Sequence, residues 1–442
     1  MSNINDYGVW QELPNELYVI GDIHGDFFAL KQSLELTGCV TFDKYNDKLK
    51  LNDKDQYYYL DDGCEYYSII KNNVKWNFNK KNCFIVFLGD LIDRCRPNSI
   101  NNKKCINTVN DENCDYLLLK LLYELDDQAK NYGSRVIVIL GNHEIMNIQG
   151  EFIYVSLKGK KDKERINNIQ NYLKTNLSNV YGIIRINKYI MAHGGINDNF
   201  FNNFNINNDN QLFESIELFN YKLRSFLLTN DSTFLNDDNL YQSPFWDRKL
   251  GGRDILNENQ CNEIFENNLL KIKNFDSIKN EIKIIVAHCP QFVVNQIINL
   301  VDCQEYEKKI WRIDVGMSRG FDLYDMYKIE NILSSTNYNE ILNMNYKDFF
   351  IINSQTENRK VSCIKLTQTE EIILEGKTTI DYFYGLEMFN KKIIMLYILS
   401  DLIKIYIDNF NKNYYPTEQY KYLLYINKLK YLIFIEIIFY QL

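Results

Sequence analysis

Histidine is scarce in this chain: among 442 residues there are only four, His24, His143, His193 and His288. Glycine (19) and proline (5) are thin as well, while Asn, Ile, Lys and Tyr abound, a bias that points to AT-rich codons and not to function. Excess positive charge is missing. The net charge of −8 argues against a nucleic-acid binder, which would be basic. Ten cysteines are scattered without one CxxC pair, so paired-thiolate zinc sites are not expected and free thiols in a reducing compartment are. Cys95, Cys105 and Cys114 lie close enough in sequence for a zinc or redox cluster, but no histidine stands beside them. The N-terminal stretch lacks a charged segment followed by an apolar one, and no uninterrupted apolar run is long enough to cross a bilayer. Near the C-terminus Ile393–Ser400 is broken by Asp401, and Tyr431–Ile435 by Glu436. A cytoplasmic protein without a membrane span is expected, with an apolar fraction of 45%, ordinary for a globular core.

The few histidines all follow short apolar strands. Leu17–Ile20 runs into GDIHGD, Cys83–Leu88 into GDLIDR, and Arg135–Leu140 into GNHE. Tyr189–Ala192 then precedes HGG, and Ile282–Ala287 precedes HCPQ. Ligands gather beyond the carboxyl ends of strands in α/β sheets, so these polar ends are expected to converge. Asp26 is placed to cap a helix through Phe27, Leu30 and Leu34 that Gly38 ends, and Asp115–Gln128 has helical apolar spacing. Residues 42–80 and 96–114 read as insertions. Residues 151–180 and 199–243 read as a partly helical cap over the site. Ile364–Leu366 and Ile372–Leu374, joined by the turn Thr367–Glu370, read as a closing hairpin. Residues 376–442 read as a helical appendage after a domain over 15–375.

Strand, Gly, then ligand recurs three times, giving Asp22, Asp90 and Asn142, with His24 two residues after Asp22. Asp22, His24 and Asp90 suit one divalent metal; Asn142, His193 and His288 suit a second, with Asp90 as the bridge. Mixed nitrogen and oxygen donors favour Mn, Fe or Zn over Ca or Mg. Two such ions can clamp a phosphoryl group for in-line attack. His143 is left over. If the strand geometry persists it points away from Asn142 and is free to act as a general acid oriented by Asp93. Arg94 can grip phosphate oxygens with its planar fork.

These motifs resemble the calcineurin-like metallophosphoesterases of the phosphoprotein phosphatase type. GNHEIMNIQGEF, SPFWDR and RIDVGMSRGF are similar to the Shewanella-like phosphatases within that group, over about residues 15–375. The resemblance implies an α/β four-layer sandwich, two mixed β-sheets face to face between helices, with two metals and direct attack by a metal-bound hydroxide. It implies Asp22, His24, Asp90, Asn142, His193 and His288 as ligands, His143 and Asp93 as the acid pair, and Arg94, Arg248 and Asn142 as phosphate contacts. Asp314 and Ser318 read as structural or peripheral. Cys95 departs from the family pattern, which has Gly after the GDxxDR arginine. The expected activity is hydrolysis of a phosphoprotein or phosphopeptide. A dinucleoside polyphosphate hydrolase shares the motifs, and an inactive phosphatase-like scaffold would need a lost ligand or acid, of which there is none.

Overall fold

The computed structural model describes residues 7–42, 49–50, 57–58, 74–96, 111–196, 200, 209–229, 243–252, 282–294, 296–301, 310–321 and 359–378. Most of both insertions, Cys105 and the appendage from residue 379 onward lie outside this set.

Two six-stranded sheets form the frame. In the first, Glu16–Ile20, Cys83–Phe87, Arg135–Ile139 and Val180–Tyr181 run parallel, each beside the next. Their near-continuous apolar faces are what a parallel sheet buried on both sides requires. The hairpin Lys360–Leu366 and Glu371–Thr378 closes this sheet, pairing antiparallel with Glu16–Ile20 through Ile364 opposite Val19. Its turn is fastened by the Thr367 amide donating to the Glu370 carbonyl at 2.9 Å. In the second sheet Tyr189–Ala192 and Lys283–Val286 are parallel neighbours, Ile310–Arg312 follows, and Ile183–Ile186 pairs antiparallel with Tyr189–Ala192. Together with the flanking helices these mixed sheets make an α/β sandwich, as the motif resemblance implies.

Buried residues of both sheets belong to one apolar cluster, among them Val19, Val86, Ile137, Ile190 and Ile285. Polar bonds tie the sheets as well. Glu371 of the first accepts from the Tyr189 hydroxyl at 2.8 Å and from Lys283 Nζ at 2.6 Å in the second. These partners start their strands, so this tie lies at the end remote from the polar motifs.

The helices obey their caps. Asp26 accepts from the amides of Phe28 and Ala29 to start Phe27–Thr37, and Gly38 ends it in the left-handed region at φ 63°. The second expected helix covers Asp115–Lys130, and the segments expected to cap the site contain the helices Arg165–Thr175, which packs on Asp115–Lys130, and Asp209–Thr229, which packs on Ile183–Ile186. No helix among the described residues is long and apolar enough to cross a membrane.

The thiol expectation needs correcting. Cys39, Cys83, Cys289 and Cys363 are free thiols, but Cys95 and Cys114 are disulfide-bonded, so neither sulfur is a thiolate for a zinc cluster.

Candidate active site

The polar motifs leave the strands through tight turns that grip one another. The amides of Ile23 and His24 donate to the Asp90 carbonyl at 3.1 and 2.8 Å. Gly89 and Gly141 meet so closely that a Cβ on Gly89 would lie 2.5 Å from the Gly141 nitrogen. Only glycine permits that approach of the GD and GN turns. Glu144, a residue the sequence reading passed over, locks the two together. Its carboxylate accepts from Gly141 at 2.7 Å, Leu91 at 2.9 Å and Asp90 at 3.0 Å. Burial, with the charge of Asp90 adding, raises its pKa to about 7.

Four residues of the site have left-handed backbone: His24 (φ 48°), Asp90 (49°), Asp93 (68°) and His288 (68°). Non-glycine residues enter this region at a cost and persist there when their surroundings fix them. The turns therefore hold these side chains in place at some expense of backbone energy.

All six expected ligands converge. His24 Nε2 lies 3.5 Å from Asp22 Oδ2 and 3.9 Å from Asp90 Oδ2. His193 Nε2 lies 3.2 Å from Asp90 Oδ2, 3.0 Å from Asn142 Oδ1 and 3.1 Å from His288 Nδ1. At the site two groups have the mutual spacing of a metal's donors, His24, Asp90 and His143, and Asp90, His193 and His288, the first with His143 where Asp22 was expected; a third, Glu16, Cys39 and Cys83, lies elsewhere among the described residues. Asp90 belongs to both groups at the site. The first three motifs come from one sheet and His193 and His288 from the other, so the site lies where the sheets meet.

Their electrostatics call for a cation. The His193 Nδ1 hydrogen points at the Leu88 carbonyl, 2.7 Å away, which leaves Nε2 as a lone pair among the acceptors Asp90 Oδ2 and Asn142 Oδ1. Lone pairs converge this way around a metal or a proton. Against burial, Asp90 raises the His193 pKa, while His193 and His143 hold Asp90 well below the carboxylate range. Burial pushes the Asp22 carboxyl up, and Asp314 and Asp90 add to it. Asp22 Oδ2 and His288 Nε2 are buried with no hydrogen-bond partner. Orphaned buried donors of this kind fit divalent cations.

His143 differs from the expectation in one respect. Asn142 and His143 do not continue the strand; they open the helix Asn142–Gln149, and helical rotation sets their directions. His143 Nδ1 meets Asp93 Oδ2 at 3.0 Å, and Nε2 lies 3.7 Å from Asp90 Oδ2. Asp93 is fully buried and further held by Asn147 Nδ2 at 2.7 Å and Arg165 at 2.9 Å. Arg165 also binds Asp115 and Asn147 Oδ1. Neither Asn147 nor Arg165 was singled out from sequence; Asn147 stands one helical turn after His143, which is the signal that was there to use.

The arginines part company. Arg248 is exposed, on the turn whose Pro244 carbonyl accepts from Gly194, and its charge lowers His288 after burial and His193. Arg94 is 3% exposed. Its guanidinium donates to the Gly25 carbonyl at 3.1 Å and faces Glu112 at 3.2 Å and Asp26 at 3.5 Å. Arg319 pairs with the same two carboxylates. Asp314 is no bystander: it is buried beside Asp22, one oxygen accepts from Gly316 at 2.8 Å, and burial raises its pKa to about 6. Ser318 donates to the His24 carbonyl at 3.3 Å.

A calcineurin-like phosphoesterase family model matches residues 16–318, which hold all these ligands. The chain belongs to the calcineurin-like phosphoesterase family. Its members are metal-dependent hydrolases, and the ligand groups here are of that kind. Among curated relatives, an uncharacterized protein of Acanthamoeba polyphaga mimivirus is 25% identical over 249 residues, 48% of this chain and 92% of that one. Shewanella-like protein phosphatase 2 of Arabidopsis thaliana is 25% identical over 34% of this chain and 26% of its own length. Shewanella-like protein phosphatase 1 of Plasmodium berghei is 23% identical over 57% of each. A solved cold-active protein-tyrosine phosphatase from a psychrophilic Shewanella species aligns at TM-score 0.44 and 17% identity, covering 83% of this chain and 82% of that one.

Proposed function

We propose that the protein is a phosphoprotein phosphatase that hydrolyses phosphomonoesters at a site for two divalent transition metal ions, Mn, Fe or Zn. The observation that carries this reading is Asp90, a single carboxylate set among His24, His143, His193 and His288, with His143 also bonded to Asp93. Asp22, His24, Asp90, Asn142, His193 and His288 would hold the ions. When bound, the two ions supply Lewis acidity to the phosphoryl oxygens and to the attacking water.

The remaining roles fall to the chain's own groups. His143, with Nδ1 hydrogen-bonded to Asp93, keeps Nε2 on the ligand side, where it donates a proton to the departing alcohol oxygen. Asp93 fixes the ring, while Arg165 and Asn147 keep Asp93 itself from turning. Arg248, exposed at the rim near His288, and the amide of Asn142 orient phosphate oxygens. The named protein phosphatases among the relatives support a protein substrate.

The test is release of phosphate from phosphoserine, phosphothreonine and phosphotyrosine peptides by metal-loaded protein, against cleavage of diadenosine tetraphosphate. Peptide turnover abolished by chelator and restored by Mn²⁺ is the expected result. Cleavage of the dinucleotide with inert peptides would replace this reading with the other.

A further inference from the structure

Away from the ligand set, two free thiols are pressed together. Cys39 Sγ and Cys83 Sγ lie 2.7 Å apart, both sealed from solvent. Their backbones are fixed independently. Cys39 follows Gly38, which ends the helix Phe27–Thr37; its amide donates to Thr37 Oγ1 at 3.0 Å and its carbonyl accepts from Asn77 at 2.7 Å. Cys83 opens its strand beside Glu16, and its amide donates to Ser134 Oγ at 3.0 Å. The pair thus stands at the start of the parallel strands, whose opposite ends carry the ligands.

Glu16, Cys39 and Cys83 have the spacing of a metal's donors, but two features oppose a metal there. The Glu16 carboxylate is already held by Lys80 Nζ at 2.6 Å and Lys365 Nζ at 2.8 Å, so an added cation would face two ammonium groups. The sulfurs are also too close. Two thiolates on one tetrahedral zinc stand about 3.8 Å apart, given bonds of about 2.3 Å. A disulfide needs about 2.05 Å, and the observed 2.7 Å is nearer to that.

Lys80 completes the arrangement. Its side chain is half-buried and passes 3.8 Å from where a Cβ on Gly38 would stand, a flexible cover beside Cys39. Its ammonium interacts with the charge of either sulfur and favours a thiolate over a thiol. The bond to Cys39, and then burial, push the Cys83 thiol up, so Cys83 is the partner that keeps its proton.

We propose that Cys39 and Cys83 are a reversible oxidation site, which a hydroperoxide converts to a disulfide. The oxidant is small and uncharged, as a closed site demands. With hydrogen peroxide, the Cys39 sulfur attacks one oxygen; the O–O bond breaks, Cys39 becomes a sulfenic acid and one water leaves. The Cys83 sulfur then attacks the Cys39 sulfur, and the expelled hydroxyl takes the Cys83 proton and leaves as a second water. Two thiols lose two electrons and two protons while the peroxide is reduced to two waters, and an external dithiol reverses the change. The new bond closes the loop from 39 to 83, which carries the insertion read at 42–80, and so restrains the unfolded chain.

The experiment uses the full chain. Reduced protein, freed of reductant, is titrated with hydrogen peroxide, alkylated in denaturant, digested without reduction and read by mass spectrometry, with melting temperature followed beside it. The expected first product is a peptide pair cross-linked through Cys39 and Cys83, returned to free thiols by dithiothreitol, with the melting temperature a few degrees above that of the reduced chain. Cys39→Ala and Cys83→Ala should each lose the cross-link and the rise. Cys363→Ala, which removes the buried thiol that senses Cys39, should keep both. The wild-type peptide map decides even where a variant does not fold. Full alkylation of Cys39 and Cys83 at saturating peroxide, oxidation that stops at a sulfinic acid, or a bond from either to Cys363 would overturn the proposal. So would Zn²⁺ or Cu⁺ bound by reduced wild type, lost in Cys39→Ala and shielding the thiols from peroxide, which would make the pair a metal site.

Discussion

The two halves of the site are built by different means. The ligand half is made by backbone: Asp22, His24, Asp90, Asn142, His193 and His288 stand within two residues of the turns that end their strands, and sheet register sets where they meet. The acid half is made by side chains from far away. His143 depends on Asp93, and Asp93 depends on Arg165, which lies 72 residues further along the chain. A backbone-built site tolerates change in its surroundings, whereas a side-chain-built one fails when any buried partner is left without its charge. Substitutions in the two halves should therefore fail differently.

The largest effect belongs to Asp90, the carboxylate common to both donor groups. Asp90→Asn should abolish turnover and reduce bound metal at both sites, while Asp22→Asn should reduce mainly one; elemental analysis beside an aryl phosphate assay separates them. In the acid half, His143→Ala should keep its metal. It should lose about 10²–10⁴ in phosphoserine peptide turnover and far less on an activated aryl phosphate, whose leaving group departs unprotonated. Equal losses on both substrates, at full metal content, would contradict a proton-donating role.

Arg165→Met sharpens the contrast further. It strands Asp93 and Asp115, both buried, and should lower unfolding free energy by about 3–5 kcal/mol in a urea titration. Peptide turnover should drop with it while metal content holds. A variant as stable as wild type would show that Asp93 is held by Asn147 alone.

The smallest effect lies at the remote tie between the sheets. Burial opposes the ionisation of Glu371, but Lys283 and Tyr189 hold its pKa below 4.5. A carboxyl depressed on folding contributes stability above its unfolded pKa and loses it as pH falls through the folded value. Glu371→Gln should thus cost about 1 kcal/mol at neutral pH, and the difference from wild type should vanish well below pH 4.5. Turnover should be untouched. A pH-independent difference would mean that packing, not charge, is what Glu371 contributes.

The same contrast explains how much could be read from the sequence. The strand ends, the Asp26 cap, the Thr367–Glu370 turn and the convergence of the six candidate ligands were legible because each is written within a few residues of itself. Cys83–Leu88 was read one residue long, since Leu88 is apolar and buried while its carbonyl has turned to His193. What the sequence did not disclose depends on partners distant in the chain. Arg165 lies in a segment read only as part of a partly helical cap, with nothing local to mark it as the partner of Asp93. Glu144 looked like part of a motif, not the acceptor that joins two turns. Arg94 matched its motif, yet its direction is set by Glu112 and Arg319, which nothing local identifies. The spacing of Cys95 and Cys114 raised a redox cluster, but nothing local set disulfide bonding above free thiols.

The central claim is that one carboxylate serves two cations. Metal-stripped wild type and Asp90→Asn should be titrated with Mn²⁺ by calorimetry, with aryl phosphate turnover followed at each addition. The account predicts close to two ions per wild-type chain, activity that rises only as the second site fills, and weakened binding at both sites in the variant. One ion per chain with full activity, or a variant that loses a single site and keeps the other at wild-type affinity, would contradict it.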